Sequence, residues 1–312
     1  MVIYSSGYWK MLARRALKEH WLTALLIALV VNLPSLLVQG IAAMTGNDLL
    51  AQVQELLYSS LSDSGLVNEN ALISGLQALE GSTGIWVMQG LNIVAWLLTP
   101  CLTLGMVSWM LGRHRGQEDP GVTGVFSRMN LFFKGIGLRL YTAWRVFLFM
   151  LPGALLSVAA LLPLWLSDSS SRISVLSAAN TSLGLQSAAM MVAIALGIIA
   201  ALKYALGDMV LADHPDMGPI RAAKESKRLT QGKKGQLFFL YTSFLFWYLL
   251  EMMASGVALD LLGTVPALMV QMLISLAISV YLHMAVTAFY LGCVAPPVQP
   301  GGPIIDESGI VD

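Results

Sequence analysis

Charge is what this sequence has least of. Only 12% of its 312 residues are Asp, Glu, Lys or Arg, where a soluble domain carries about a quarter. With 56% hydrophobic residues and a mean hydropathy of +0.71, that scarcity excludes an ordinary soluble globule and points to lipid as the solvent. Net charge is absent as well. The 18 basic and 18 acidic residues cancel, which argues against a nucleic-acid partner. Cysteine is scarce: Cys101 and Cys293 lie in apolar runs with no second Cys or His at ligand spacing, so both read as packing residues. No cleavable signal is expected either, because the first apolar run is long and has no small-residue cleavage pattern at its end. That run is expected to stay as an anchor. Finally, there is no G-x-S-x-G, H-E-x-x-H, Walker A or C-x-x-C pattern, so no catalytic role, metal or cofactor is expected.

What is present are long apolar runs. A hydrocarbon core of about 30 Å needs about 20 apolar residues per helix, and six stretches meet that length: 21–44, 85–111, 136–165, 186–211, 237–262 and 265–293. Pro34 predicts a kink in the first, and Pro152-Gly153 and Pro163 predict breaks in the third. Residues 45–84 form a polar cap without Lys or Arg, in which Leu49–Leu61 and Ala71–Leu79 read as short amphipathic helices. Ser167–Leu185 reads as a Ser/Asn-rich loop, and 294–312 as a disordered tail rich in Pro and Gly. The fold class expected is therefore all-α: a polytopic membrane helical bundle of about six transmembrane helices plus cytoplasmic interfacial amphipathic helices.

Those interfacial elements are basic. Tyr4–His20 places Trp9, Leu12, Ala13, Ala16 and Leu17 on one side and Lys10, Arg14 and Lys18 on another. Between the second and third spans, Val122, Phe126, Met129 and Phe133 recur at helical spacing beside Arg113, Arg115, Arg128 and Lys134. Between the fourth and fifth, Pro219 suits a first helical turn and Gly232 a helix end. There Ala222, Ala223, Ser226 and Leu229 share a face opposite Arg221, Lys224 and Arg228, with Lys227, Lys233 and Lys234 nearby. Such helices suit an anionic membrane surface, so Lys10, Arg14, Lys18, Arg128, Lys134, Arg221, Lys224, Lys227, Arg228, Lys233 and Lys234 are the candidate contacts for anionic lipid headgroups. Basic residues crowd alternate connections, which under the positive-inside rule puts both termini in the cytoplasm of a bacterial inner membrane. A basic segment precedes each pair of spans, which is compatible with a three-fold repeat and equally with any six-span protein of this topology.

Among the ionisable residues inside the spans, Arg139, Arg145, Lys203, Asp208 and Glu251 are the informative ones, Asp260 standing near the far surface where it is expected to be solvated. A charge at mid-helix costs on the order of 2.5–3.5 kcal/mol on insertion scales, so each is expected to find a partner or a wet cavity. Depths counted at about 1.5 Å per residue pair Glu251 with Arg145 or Lys203 and Asp208 with Arg139, making the third, fourth and fifth spans neighbours. The cluster is compatible with helix packing and also with a cavity of excess positive charge for an anionic headgroup or solute. The histidines at 20, 114 and 214 stand at boundaries, where solvated or headgroup roles are expected, and His283 reads as a helix-packing group. Asp213-His-Pro-Asp216 reads as a helix cap at Asp216 rather than a metal cluster.

The run Tyr204…Val210-Leu211-Ala212-Asp213…Pro215…Ala222-Ala223…Ser226…Leu229…Gly232…Leu237-Phe238…Ser243-Phe244…Trp247 resembles a family of uncharacterised bacterial integral-membrane proteins. Leu12-Ala13-Arg14-Arg15-Ala16-Leu17-Lys18-Glu19-His20-Trp21 resembles that family's beginning. The family is itself similar to the membrane domain attached to some glycerophosphodiester phosphodiesterases. The chain departs from the pattern at Glu251, where small or apolar residues are usual, and between Ala154 and Gln186. The resemblance implies a fold and a location but no reaction. Three roles stay open: a non-enzymatic protein that binds lipid or assists a membrane complex, with a protein partner or a second copy; a transporter or channel for a small anionic solute or lipid; and a membrane-embedded lipid or phosphodiester enzyme.

Overall fold

A computed structural model describes residues 5–45, 83–162, 172–262 and 264–294. Apolar residues surround most of the long segments on every side, so the backbone must satisfy its own hydrogen bonds, which a helix does within one segment. The long helices are α2 (Trp21–Thr45), α3 (Thr83–His114), α4 (Phe132–Ala159), α5 (Arg172–Tyr204), α8 (Lys234–Leu262) and α9 (Thr264–Val294). The shortest has 25 residues, about 38 Å at a rise of 1.5 Å. Among the described residues, six helices are thus long and apolar enough to cross a membrane, and the chain is a multi-pass membrane protein. They pack as successive hairpins, α2 with α3, α4 with α5 and α8 with α9.

Two sequence expectations shift. Pro152 lies inside α4, which runs on through it to Ala159; lipid-exposed helices tolerate proline where neighbours take up the disturbance. Its neighbour Gly153 has a packing role, since a Cβ there would meet the Ala193 backbone of α5 at 2.5 Å. The Ser/Asn-rich stretch is helical from Arg172 onward, because hydroxyl and amide side chains are tolerated in a helix that a hairpin partner holds. The cap with its two short helices, Pro163 and the tail lie outside the described residues.

Three short elements precede the three hairpins: α1 (Ser6–Leu17), a 3-10 segment (Gly121–Leu131) and α7 (Pro219–Leu229). Each lies against the hairpin that came before it, with α1 lying against the last. The 3-10 segment packs on α3, α7 on α4 and on the short α6 (Gly207–Asp213) that continues the fourth span, and α1 on α9. The contacts are close. A Cβ at Gly105 in α3 would overlap the Val125 carbonyl of the 3-10 segment, and one at Gly292 in α9 would overlap the Trp9 ring of α1. The buried core is concentrated in this half of the bundle, from Trp9, Ala13 and Leu17 through Leu104, Met110, Leu211 and Phe244 to Phe289 and Tyr290.

The fourth span is discontinuous. Between Tyr204 and Gly207 the α-helix breaks, which frees backbone groups that lipid cannot satisfy. Ser226 of α7 satisfies them. Its hydroxyl donates to the Lys203 carbonyl at 3.1 Å and accepts from the Leu206 N–H at 3.2 Å. Ser226 is fully buried between Ala222, Ala223 and Thr230, so the small residues of α7 form the face that closes on the break.

Candidate functional site

The basic end of the bundle is built on α7. Pro219 occupies its first turn and Gly232, just past its end, has φ +76. The helix begins at Gly218 with no side-chain cap, so Asp216 does not serve as the cap expected of it. Because Ala222, Ala223 and Ser226 face the protein, α7 presents Arg221, Lys224, Lys227 and Arg228 outward, all exposed. Its small face therefore packs on helices and not in lipid. Arg228 also pairs with Glu225 one turn earlier, and the Glu225 hydrogen bond raises the Arg228 pKa further. Lys233 and Lys234 are half-buried, while Arg14 and Lys18 on α1 are exposed.

The other candidate headgroup contacts are held inward. The Lys10 ammonium donates to the Ser243 carbonyl at 3.1 Å and lies 4.6 Å from the Phe244 ring centroid; burial pulls its pKa below the ordinary lysine value. Lys134 donates to the Pro215 carbonyl at 2.6 Å and Arg128 to the Ser108 hydroxyl at 3.2 Å. Beside them Phe126, Met129 and Phe133 are exposed, Phe133 by 84%, giving this rim an apolar edge next to its charges.

Two networks tie the basic end together, and sequence spacing showed neither. Arg115, just past α3, donates two bonds to Asp213 at 2.7 and 2.8 Å, and the Tyr290 hydroxyl donates a third at 2.9 Å. The Asp213 hydrogen bonds raise the Arg115 pKa above its ordinary value. One carboxylate thereby joins α3, α6 and α9, so all three hairpins meet at Asp213. The Asp213…Pro215 part of the recognised run thus has a structural account. The second network centres on Asp119. His20 Nδ1 lies 2.9 Å from one carboxylate oxygen; the Trp109 indole and the Gly121 N–H each donate to the other at 2.8 Å. Burial opposes ionisation of Asp119, but the Trp109 and Gly121 bonds and the nearby Arg113 and His20 outweigh it and hold the carboxyl below its usual range. Arg113 faces His20 Nε2 at 3.0 Å. An arginine only donates, so this ring nitrogen accepts and the proton sits on Nδ1, facing Asp119. His20 is thus bound within the protein, as is His114, which donates to the Met284 carbonyl at 3.1 Å. His283 packs against its own helix at the Ser279 carbonyl, 2.8 Å away.

The five intramembrane charges do not form one cluster. Arg145 is exposed, bonded to the Tyr141 hydroxyl at 3.1 Å. Lys203 lies 3.8 Å from the Phe149 ring centroid. Asp208 is half-buried within electrostatic range of Arg139 and His283, with no direct ion pair among the described residues. Arg139 borders a cavity of about 520 Å³ with Ser35, Gln39 and Asn92. Glu251, 7% exposed, faces neither Arg145 nor Lys203: it borders a second cavity, about 630 Å³, between α8, α2 and α9. The pairing expected from depth fails because α8 packs on α9 and touches α5 only lightly. Both cavities lie beyond the buried core, toward the end of the bundle without the short basic elements, and Gln39 of α2 borders both.

Among the described residues, no group of three or more His, Cys, Asp or Glu is placed to hold a metal ion. Cys101 is buried and Cys293 half-buried, both as free thiols. The family model described as a protein of unknown function (DUF975) matches residues 1–295. Neither a curated protein nor a solved structure matches the chain, and nothing in these comparisons links it to glycerophosphodiester phosphodiesterases.

Proposed function

Since the chain belongs to the DUF975 family, a membership that assigns no chemistry, we propose from its own geometry that it is a non-enzymatic integral membrane protein that gathers anionic lipid headgroups at its basic end. One observation carries this reading: the outward row Arg221, Lys224, Lys227 and Arg228, set on a helix whose small face is buried against the protein. The docked helix keeps the four charges on one side, and each basic residue near an anionic surface contributes about 1 kcal/mol. The exposed Phe126, Met129 and Phe133 support this reading, since apolar side chains next to basic ones suit a lipid interface. Under the positive-inside rule the basic end faces the cytoplasm of a bacterial inner membrane, and both termini with it.

Two experiments test the proposal. Protein purified gently from membranes is expected to retain phosphatidylglycerol or cardiolipin in native mass spectrometry. The combined change Arg221→Gln, Lys224→Gln, Lys227→Gln, Arg228→Gln should lower that retention at least tenfold and remove its salt sensitivity; equal retention would refute the reading. For orientation, Lys224→Cys, in a background lacking Cys101 and Cys293, should react with an impermeant maleimide in inverted vesicles and be protected in intact cells. A second reading, transport, is favoured by the broken fourth span, the form in which many carriers build solute sites. Solute flux into proteoliposomes distinguishes it.

A further inference from the structure

Among the described residues, Glu251 is the one carboxylate that lines the two cavities described above. It is 93% shielded, being 7% exposed, yet among the described residues its carboxylate makes no hydrogen bond and no ion pair. Leaving a carboxylate uncompensated at such depth is costly. Counting 1.5 Å per residue, Glu251 sits about 17 Å from the Leu262 end of α8 and about 26 Å from the Lys234 end, well inside the helix. What surrounds it is a space, and the lining of that space has two halves. Gln39 from α2 and Gln271 and Ser275 from α9 supply amide and hydroxyl groups, which accept or donate, while Leu36 and Leu276 supply apolar surface. Tyr248, one helical turn before Glu251, lines the same cavity.

We propose that this cavity binds a primary ammonium group carried on a short apolar or lipidic stem, with Glu251 as its counter-charge. The chemistry of the lining selects that class. The one charged group in the lining is a carboxylate, which disfavours anionic headgroups, and the amides and hydroxyls around it can accept as well as donate. An ammonium has three N–H donors and no acceptor, matching one carboxylate and the surrounding amide and hydroxyl oxygens. A cavity of about 630 Å³ is far larger than a bare metal ion, and its leucine walls suit methylene groups. The same ammonium chemistry occurs on free amines and on phosphatidylethanolamine; both fit the lining. The inference is independent of the basic row on α7 and concerns a different part of the molecule.

The experiment uses the full chain in a non-ionic detergent, with ethylammonium chloride as the probe and sodium and potassium chloride at matched ionic strength as controls. Ethylammonium is expected to raise the thermal unfolding midpoint saturably, and Glu251→Gln to weaken its apparent affinity at least tenfold without lowering the unliganded midpoint. Gln271→Leu, which leaves the charge in place, should weaken it less. Native mass spectrometry of the wild type and Glu251→Gln identifies the source. Selective loss of retained phosphatidylethanolamine in the variant assigns a lipid headgroup; ethylammonium binding without phosphatidylethanolamine enrichment assigns a free amine. Unchanged ethylammonium affinity in Glu251→Gln overturns the proposal, as does an equal saturable shift with sodium or potassium. Should Glu251→Gln not fold, unaltered affinity in Gln271→Leu overturns it equally.

Discussion

Ser226 acts as two partners at once, and it shows how much one small hydroxyl can carry inside a membrane protein. The break after Tyr204 leaves a carbonyl and an N–H without helical partners, and the Ser226 hydroxyl meets both. Ser226→Ala should therefore destabilise the protein by about 1–3 kcal/mol, the cost of a buried polar group left unsatisfied, and Ser226→Thr by less if its extra methyl is accommodated. Thermal unfolding in detergent compares the two. Asp119 gives a pH prediction. Its folded pKa is depressed, so its stabilising contribution is complete above the ordinary carboxylate value of about 3.9 and is lost as pH falls through the lowered folded value. Unfolding of the wild type below pH 4 should accordingly show an acid limb that Asp119→Asn flattens; an unchanged limb would assign the acid sensitivity elsewhere. The carboxylate Asp213 stood in the recognised run, yet its partners Arg115 and Tyr290 are far away in sequence. No spacing rule could have found them, because the three meet only when three hairpins converge.

At the scale of elements, periodicity located the short basic helices but could not say what their apolar sides touch. A stripe of Ala222, Ala223 and Ser226 reads the same whether it meets lipid or protein. Its smallness is the physical clue, because close helix contact favours small residues whereas an interfacial helix gains from bulk. This yields a paired test. Ala223→Leu should overpack the α7 contact and cost about 1–3 kcal/mol, whereas Ile220→Ala, at an exposed position, should cost under about 0.5 kcal/mol. Equal effects in thermal unfolding would mean that α7 does not dock as described. Depth misled in a comparable way at Glu251. Counting residues fixes a height along a helix but not the direction a side chain faces, and Glu251 lines a cavity with α2 and α9. The Ser/Asn-rich stretch after Ser167 was misjudged for a simpler reason: polar composition suggests a loop, while the hairpin with α4 holds its later part as helix.

For the whole molecule, composition and run length made the class and the six long helices legible, since lipid permits so few alternatives. The pairing of hairpins and the meeting at Asp213 were not legible, because they depend on which faces match. The order in which the short elements dock has a further consequence. Each clasps the hairpin before it, and α1 clasps the last through Trp9, whose ring meets Phe289 edge-on with centroids 5.5 Å apart. The units therefore form a closed circle, and the physical arrangement has no first member. A circularly permuted chain, with Val294 joined to Ser5 by a flexible linker and new ends opened in the exposed turn at Gly116-Gln117, should fold to the same helical content and unfold within a few degrees of the natural order. Opening the circle inside a clasp, between Trp9 and Lys10, should abolish that behaviour; circular dichroism with thermal melting separates the outcomes. If both permutants behave alike, α1 is an appendage and the circle does not close through it.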